Sequence, residues 1–355
     1  QCLRGSHALI VGCGALGCAV ADTLARAGVG RLAIVDRDLV ERSNLHRQTL
    51  FSEADADRGL PKAVAARDRL HAINRDIEIE AAVADFNPSN ALDLGAGADL
   101  IIDGLDNFAT RYLLNDLAVA THRPLIHAGV VGTTATGWTI LPPPDDHDAA
   151  GAIRWTADDV TPCLRCLFPD PPLAGAMETC ESAGVLGPAV SFIAAHQATQ
   201  AIKLLAGDIA AVDRALWSVD VWANQYRRLD VDGARDPACP CCAGRQFDFL
   251  EGRTAALSST LCGQNAVQIV PANPPRSTDG PERLLDLNDL ADRLRPHGEF
   301  SATPFLVRGR LHRESSERAD AEANGTGGDG PLELTVFPDG RAIIRGTEDL
   351  ARART

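Results

Sequence analysis

The sequence predicts an α/β protein built on a doubly wound, mostly parallel sheet, and three observations predict it. Short apolar runs alternate with helix-period stretches through the first half of the chain. The first two runs, His7–Val11 and Arg31–Val35, flank a helical pattern at Ala15–Ala27, which is the span of one β-α-β unit. Between the first run and that helix stands Gly12-Cys13-Gly14-Ala15-Leu16-Gly17, a glycine-rich turn at a helix start.

The remaining elements follow in order. Leu60, Pro61 and Lys62 precede a helix to about His71, residues 77–83 read as a strand and residues 87–94 as a short helix. Residues 100–103 form a buried strand, followed by a polar turn and a helix over 110–120. Strands are expected at 124–126 and 137–141, and Pro142 to Asp148 is a surface loop by composition. A long helix over 187–206 closes at Gly207, and 216–221 with 225–229 make a late antiparallel hairpin. Beyond about Arg253 the character changes: 284–312 reads as a small α/β unit, and 314–330 is too polar to order itself by burial. The last strands, 332–337 and 341–345, flank a Pro338-Asp339-Gly340 turn. The expected division is a nucleotide-binding domain at 1–252 and a small C-terminal α+β domain at 253–355.

The chain has 355 residues, 45% hydrophobic and 23% charged, the balance of a soluble globular protein. A net charge of −14 argues against nucleic acid and anionic membranes as partners, since both reward a basic face. No apolar run approaches a membrane span, and residues 1–6 are no signal peptide. Ten cysteines without an export signal predict a reducing, cytoplasmic compartment. The chain opens on Gln1 and reaches strand-like residues almost at once, so an upstream segment is expected to be missing.

Asp36 lies nineteen positions after Gly17 (36 − 17), where a Rossmann-like fold puts the carboxylate that holds a ribose. The glycines let backbone approach a phosphate at a helix N-terminus. Ser43, Asn44, His46, Arg47 and Gln48 then stand where a nicotinamide site needs no such cluster. Arg47 and Lys62 are suited to a polyphosphate, and the competing reading is an ordinary solvated loop. Asp106, in Asp103-Gly104-Leu105-Asp106-Asn107, either holds Mg²⁺ against phosphates or caps the helix that follows.

Cys163-Leu164-Arg165-Cys166 and Cys239-Pro240-Cys241-Cys242 are two Cys-x-x-Cys knuckles, 73 residues apart (239 − 166). Cys163, Cys166, Cys239 and Cys242 make a tetrathiolate set for a structural Zn²⁺ stapling distant segments, with Cys241 as the spare. Cys180, in a Gly-rich segment, reads as an accessible nucleophile or as a small buried residue.

Taken together, GCGALG, VDRDLVERSNLHRQTLF, GLPKAVAARDRL, DGLDNFATRYLLND, CLRC, TCESAGVLGP, QAIKLLAG and CPCC, in that order over residues 3–245, resemble the ThiF/MoeB/HesA family, adenylyltransferases related to ubiquitin-activating enzymes. The resemblance implies that the C-terminal Gly-Gly carboxylate of a ubiquitin-like sulfur carrier attacks the α-phosphate of MgATP. An acyl-adenylate and pyrophosphate result, ahead of thiocarboxylate formation in a thiamine or molybdopterin pathway. It implies that Asp36 binds the ribose hydroxyls, that Asn44, Arg47, Gln48 and Lys62 line the phosphates, that Ala15 contacts the adenosine through its backbone and that Asp106 organises Mg²⁺ near the attacking carboxylate, with Gly12, Gly14, Gly17, Asp38, Ser43, Leu105 and Asn107 as further cofactor-binding residues. Cys180 matches the family's sulfur-chemistry cysteine. A homodimer and a sulfurtransferase or cysteine desulfurase partner are implied as well.

Three departures accompany the resemblance. The family's N-terminal helix, whose arginine reaches the partner subunit's ATP, has no counterpart in these residues. Residues 263–355 contain no cysteine, so that domain carries no persulfide. The stretch from Pro142 to Pro162 is long and acidic for the family. Two other readings compete: an NAD-dependent oxidoreductase resting on Gly12 to Asp36 alone, and a zinc-stapled scaffold that binds a ubiquitin-like protein without catalysis.

Overall fold

The computed structural model describes residues 2–144, 153–171, 183–253, 260–261, 266–269, 285–312, 332–338 and 340–347. The chain divides into two compact units, Gln1–Thr254 and Ala255–Thr355.

In the first unit the chain runs β1 (His7–Val11), α1 (Ala15–Ala27), β2 (Arg31–Val35), α2 (Glu53–Asp57), α3 (Lys62–Ile73), β3 (Glu78–Ala82), α4 (Ala91–Leu94), β4 (Leu100–Asp103) and α5 (Phe108–Ala120). It continues through β5 (Leu125–Val131), β6 (Thr134–Ile140), α6 (Leu164–Leu167), α7 (Gly187–Leu205), β7 (Leu216–Asp220) and β8 (Gln225–Leu229). The eight strands lie in the order β3-β2-β1-β4-β5-β6-β7-β8. The first five are parallel and the last three run antiparallel, as the sequence predicts.

All five residues of β1 are buried, as a parallel strand covered on both faces requires. Their side chains alternate between two layers. Ala8 and Ile10 enter a core shared with α1, α3 and α7, whereas Leu9 and Val11 enter the core under α5. Helix α1 ends where Gly28 takes φ 82°, its N–H bonding back to the Leu24 and Ala25 carbonyls.

Strand order reverses between β1 and β4, the point at which the loops leaving both strands open a crevice. Here the two loops touch backbone to backbone. A Cβ on Gly17 would stand 1.9 Å from the Gly12 carbonyl oxygen, and one on Gly104 would stand 2.2 Å from it. Only glycine permits that approach.

Four local expectations need correction. The strand expected at 124–126 runs on to Val131, because its continuation pairs antiparallel with β6, residue for residue to Thr134. The helix expected over 87–94 shrinks to α4, because Asn87 and Asn90 turn their side chains onto local backbone and hold a turn instead. Helix α5 starts at Phe108, earlier than expected, because Asn107 caps it by accepting the Thr110 N–H at 3.0 Å. The 284–312 unit is one helix followed by an antiparallel hairpin, so its connections are α+β.

The second unit holds β9 (Thr260–Leu261), β10 (Ala266–Ile269), α8 (Leu287–Leu294), β11 (Gly298–Ala302), β12 (Val307–Leu311), β13 (Glu333–Val336) and β14 (Ala342–Arg345). Its sheet order is β11-β12-β13-β14-β10-β9, antiparallel throughout. Asp286 caps α8 through the N–H groups of Asn288 and Asp289, and Leu287, Ala291 and Val307 form the small core beneath. The polar stretch at 314–330, Asp145 to Asp148 and the turn residue Asp339 lie outside the described residues. Among the described residues no helix is long and apolar enough to cross a membrane.

Candidate functional site

The crevice at the β1–β4 switch gathers most of the residues singled out above. Gly12 leaves β1 with φ 88°, and Gly14 stands just before the first turn of α1. That helix start points free N–H groups into the crevice. Asp36, 8% exposed at the end of β2, accepts the Cys13 N–H at 2.6 Å and the Asp38 N–H at 2.7 Å. It therefore ties the glycine loop to the segment that follows β2. Burial raises its pKa above the ordinary carboxylate value, against the opposing pull of Lys62.

Lys62 begins α3 directly after Pro61. Its ammonium sits 2.9 Å from Asp38 Oδ2, and its own N–H donates to the Asp38 carbonyl, also at 2.9 Å. Burial lowers its pKa, but Asp38 and Asp36 outweigh it and push the value well above that of an ordinary lysine. Asp106 acts in the same direction, so its carboxylate shares this field although it projects from a different loop.

The Ser43–Gln48 segment is a tight turn that begins in a short 3₁₀ helix, Arg42–Asn44. Arg47 donates to Asn44 Oδ1 at 2.6 Å, and the Gln48 N–H closes onto the Asn44 carbonyl at 3.0 Å. Ser43 is exposed, with its hydroxyl 3.5 Å from Glu41. Gln48 is 4% exposed, and its Nε2 lies 4.0 Å from where a Gly14 Cβ would stand. Among the described residues its buried Oε1 has no hydrogen-bond partner, so an acceptor is left unpaired beside the glycine loop.

Beneath the second loop lies a buried ionic cluster that the sequence reading missed. Asp103, 1% exposed at the end of β4, accepts from Leu105 N–H at 2.9 Å and from His127 Nδ1 at 2.6 Å, and lies 3.3 Å from Arg111 Nε. Arg111 also donates to the Leu105 carbonyl at 2.6 Å. Burial depresses the His127 pKa below the ordinary histidine value despite the neighbouring carboxylate. The available signal was Arg111 itself, one charge directly before the apolar run Tyr112-Leu113-Leu114. As for Asp106, the capping role belongs to its neighbour Asn107, leaving the Asp106 carboxylate exposed at the crevice.

The two knuckles meet in the core beside α5. The Sγ atoms of Cys163, Cys166, Cys239 and Cys242 all lie within 4.8 Å of one another. Cys163 is 3.8 Å from Cys166 and 3.6 Å from Cys239, and Cys166 is 3.4 Å from Cys242. Four sulfurs at about 2.3 Å from a tetrahedral ion stand roughly 3.8 Å apart, so the set fits a closed metal site. Cys241 stays outside it, buried, with the Asn115 amide donating to its sulfur at 3.2 Å. Cys180 lies outside the described residues.

Comparison with known proteins gives the chain a family. The sequence model of the ThiF family matches residues 1–241. The sulfur carrier protein ThiS adenylyltransferase of Bacillus subtilis is 38% identical over 354 residues, 99% of this chain and 92% of its own length. The sulfur carrier protein adenylyltransferase of Thermus thermophilus is 37% identical over 243 residues, 68% of this chain and 83% of its own. Adenylyltransferase and sulfurtransferase MOCS3 of Xenopus laevis is 30% identical over 296 residues, 80% of this chain and 59% of its own. Among solved structures, E. coli MccB with ATP superposes with a TM-score of 0.55 at 23% identity, covering 68% of each chain, a likeness of fold. A nucleotide-type crevice and a four-thiol site in one domain, within a chain so matched, leave one assignment: the protein belongs to the ThiF family and is an adenylyltransferase.

Proposed function

We propose that this protein uses ATP to adenylylate the C-terminal Gly-Gly carboxylate of a ubiquitin-like sulfur carrier. The observation that carries the reading is the convergence of the Gly12–Gly17 loop, Asp36, Lys62 and Asp106 on one crevice, in a chain alike over nearly its whole length to a ThiS adenylyltransferase.

Phosphoryl-type transfer demands positioning and charge neutralisation more than a protein base. Asp36 keeps lone pairs for ribose hydroxyls beyond the two N–H groups it accepts, since a carboxylate offers about four acceptor sites. The backbone of Gly12, Gly14, Ala15 and Gly17 lies along the nucleotide. Ser43, Asn44, Arg47, Gln48 and Lys62 take the phosphates, the open Gln48 amide oxygen turning to accept from a ligand hydroxyl or water. Asp38 holds Lys62 in register. Leu105, Asp106 and Asn107 form the magnesium region, and that ion, when bound, neutralises charge on the departing pyrophosphate. The carrier carboxylate attacks the α-phosphorus, the bond to the bridging oxygen of pyrophosphate breaks, and an acyl-adenylate remains. Zinc is the ion the four thiolates suit, as a structural staple with no open position. Cys180 serves the later sulfur step, with a sulfurtransferase or cysteine desulfurase as donor, and the enzyme works as a homodimer.

The test is exchange of labelled pyrophosphate into ATP that depends on a carrier ending in Gly-Gly. Exchange lost in Arg47→Ala and Asp106→Ala supports the reading. Its absence in the native protein with carriers from both pathways overturns it in favour of a binding scaffold.

A further inference from the structure

We infer that His127 is a positioning residue for Asp106, acting through Asp103 and the Leu105 backbone. The consequence for magnesium rests on the adenylylation reading above.

Asp106 is exposed, so its placement depends on the peptide that precedes it. Both polar groups of Leu105 are held from below. Its N–H donates to Asp103 Oδ1 at 2.9 Å, and its carbonyl accepts from Arg111 Nη2 at 2.6 Å. Arg111 Nη2 is anchored on the Ala128 carbonyl as well, at 3.2 Å, so the half of the clamp that depends on the Asp103 carboxylate is the Leu105 N–H. Asp103 Oδ2 is oriented by His127 Nδ1 at 2.6 Å, the closer contact, with Arg111 Nε at 3.3 Å. The Asp103 carbonyl in turn accepts from Gln197 at 3.0 Å, so the backbone at this point is fixed from α7 as well.

His127 is itself immobilised. It lies on β5, 7% exposed, and its ring meets Trp138 edge-on with centroids 4.5 Å apart. The Trp138 indole donates to the Pro162 carbonyl at 3.4 Å, next to the knuckle residue Cys163. Without the imidazole, Asp103 Oδ2 keeps, among the described residues, only the longer Arg111 contact. The carboxylate then turns towards Arg111 and draws Oδ1 away from Leu105. A buried histidine serving only to fill space would leave that loop untouched, which is the distinction to measure.

The experiment uses the full chain, native and with His127→Ala, His127→Asn or His127→Gln. Asparagine carries a donor near the Nδ1 position, whereas glutamine carries it at the reach of Nε2. Two readouts are taken: amide hydrogen exchange over residues 104–108, and the magnesium concentration giving half-maximal pyrophosphate exchange. His127→Ala is expected to speed amide exchange there and raise the magnesium requirement, each about tenfold, the size of one lost buried hydrogen bond. The KM for carrier should stay put, and His127→Asn should restore both readouts. If the alanine variant does not fold, His127→Gln against His127→Asn makes the same comparison. Unchanged amide exchange at 104–108 overturns the inference, as does a loosened loop with an unaltered magnesium requirement. A native protein with no carrier-dependent exchange overturns the adenylylation reading alone, and the amide arm still decides the positioning.

Discussion

Lys62 and Asp38 form an ion pair of 2.9 Å in which the lysine side chain is 8% exposed and the aspartate 42% exposed. With Asp36 alongside, the ammonium is charged and fixed before any phosphate arrives. A donor set in place beforehand costs no reorganisation during reaction, and removing one such donor lowers turnover by roughly 10²–10³-fold. Lys62→Met should therefore reduce carrier-dependent pyrophosphate exchange by about 10²-fold. Asp38→Asn should cost about tenfold, mainly as a higher KM for ATP, because Asp36 still keeps the ammonium charged while its direction is lost. Steady-state kinetics of both variants checks this; equal losses in kcat for the two would contradict it.

Metal content should be inseparable from stability. The knuckles pin Cys163–Cys166 to Cys239–Cys242 against α5. Cys239→Ser should release the ion and lower the melting midpoint by about 10 °C, corresponding to roughly 3 kcal/mol in a domain of this size. Cys241→Ala should retain one ion per chain. Elemental analysis alongside thermal melts separates the two thiols.

Acid should weaken the fold through His127. Burial places its pKa in the folded protein below the ordinary value of 6.5. The unfolded chain therefore binds more protons as pH falls through that value, and stability is lost below about pH 6.5. The His127→Asn variant should show a smaller drop in urea midpoint between about pH 7.5 and 5.5. His196, also depressed by burial, should supply part of the remaining slope.

The backbone contact at the switch point should tolerate no side chain. Gly17→Ala places a methyl 1.9 Å from the Gly12 carbonyl oxygen, so β1 and α1 must part. A loss of about 3 kcal/mol or more is expected from such overpacking. Gly5→Ala, with no atom of the described residues within 4 Å, should be close to neutral. Urea unfolding of the pair checks the contrast.

What was legible in the sequence was what is local. The β1-α1-β2 unit, the spacing to Asp36, the β7–β8 hairpin and the paired knuckles each declare themselves within a short window or by residue type alone. The Asp103–Arg111–His127 cluster did not, because His127 stands 24 residues from Asp103 and meets it only when β5 packs beside β4. Likewise Asn107 and Asp106 are both acceptable caps by type, and only backbone geometry chooses between them. The extension of β5 to Val131 was hidden by Gly129, which weakens a strand pattern; its missing Cβ leaves room for Arg111, whose Nη1 lies 3.3 Å from where that Cβ would stand.

The most direct test is the intact mass of a Gly-Gly-terminated carrier after incubation with this protein and MgATP, quenched before hydrolysis. A carrier population heavier by one adenylyl group on its terminal glycine is expected, absent when Arg47→Ala replaces the native enzyme. A carrier bound by the protein yet never gaining that mass, with ATP left intact, would contradict it.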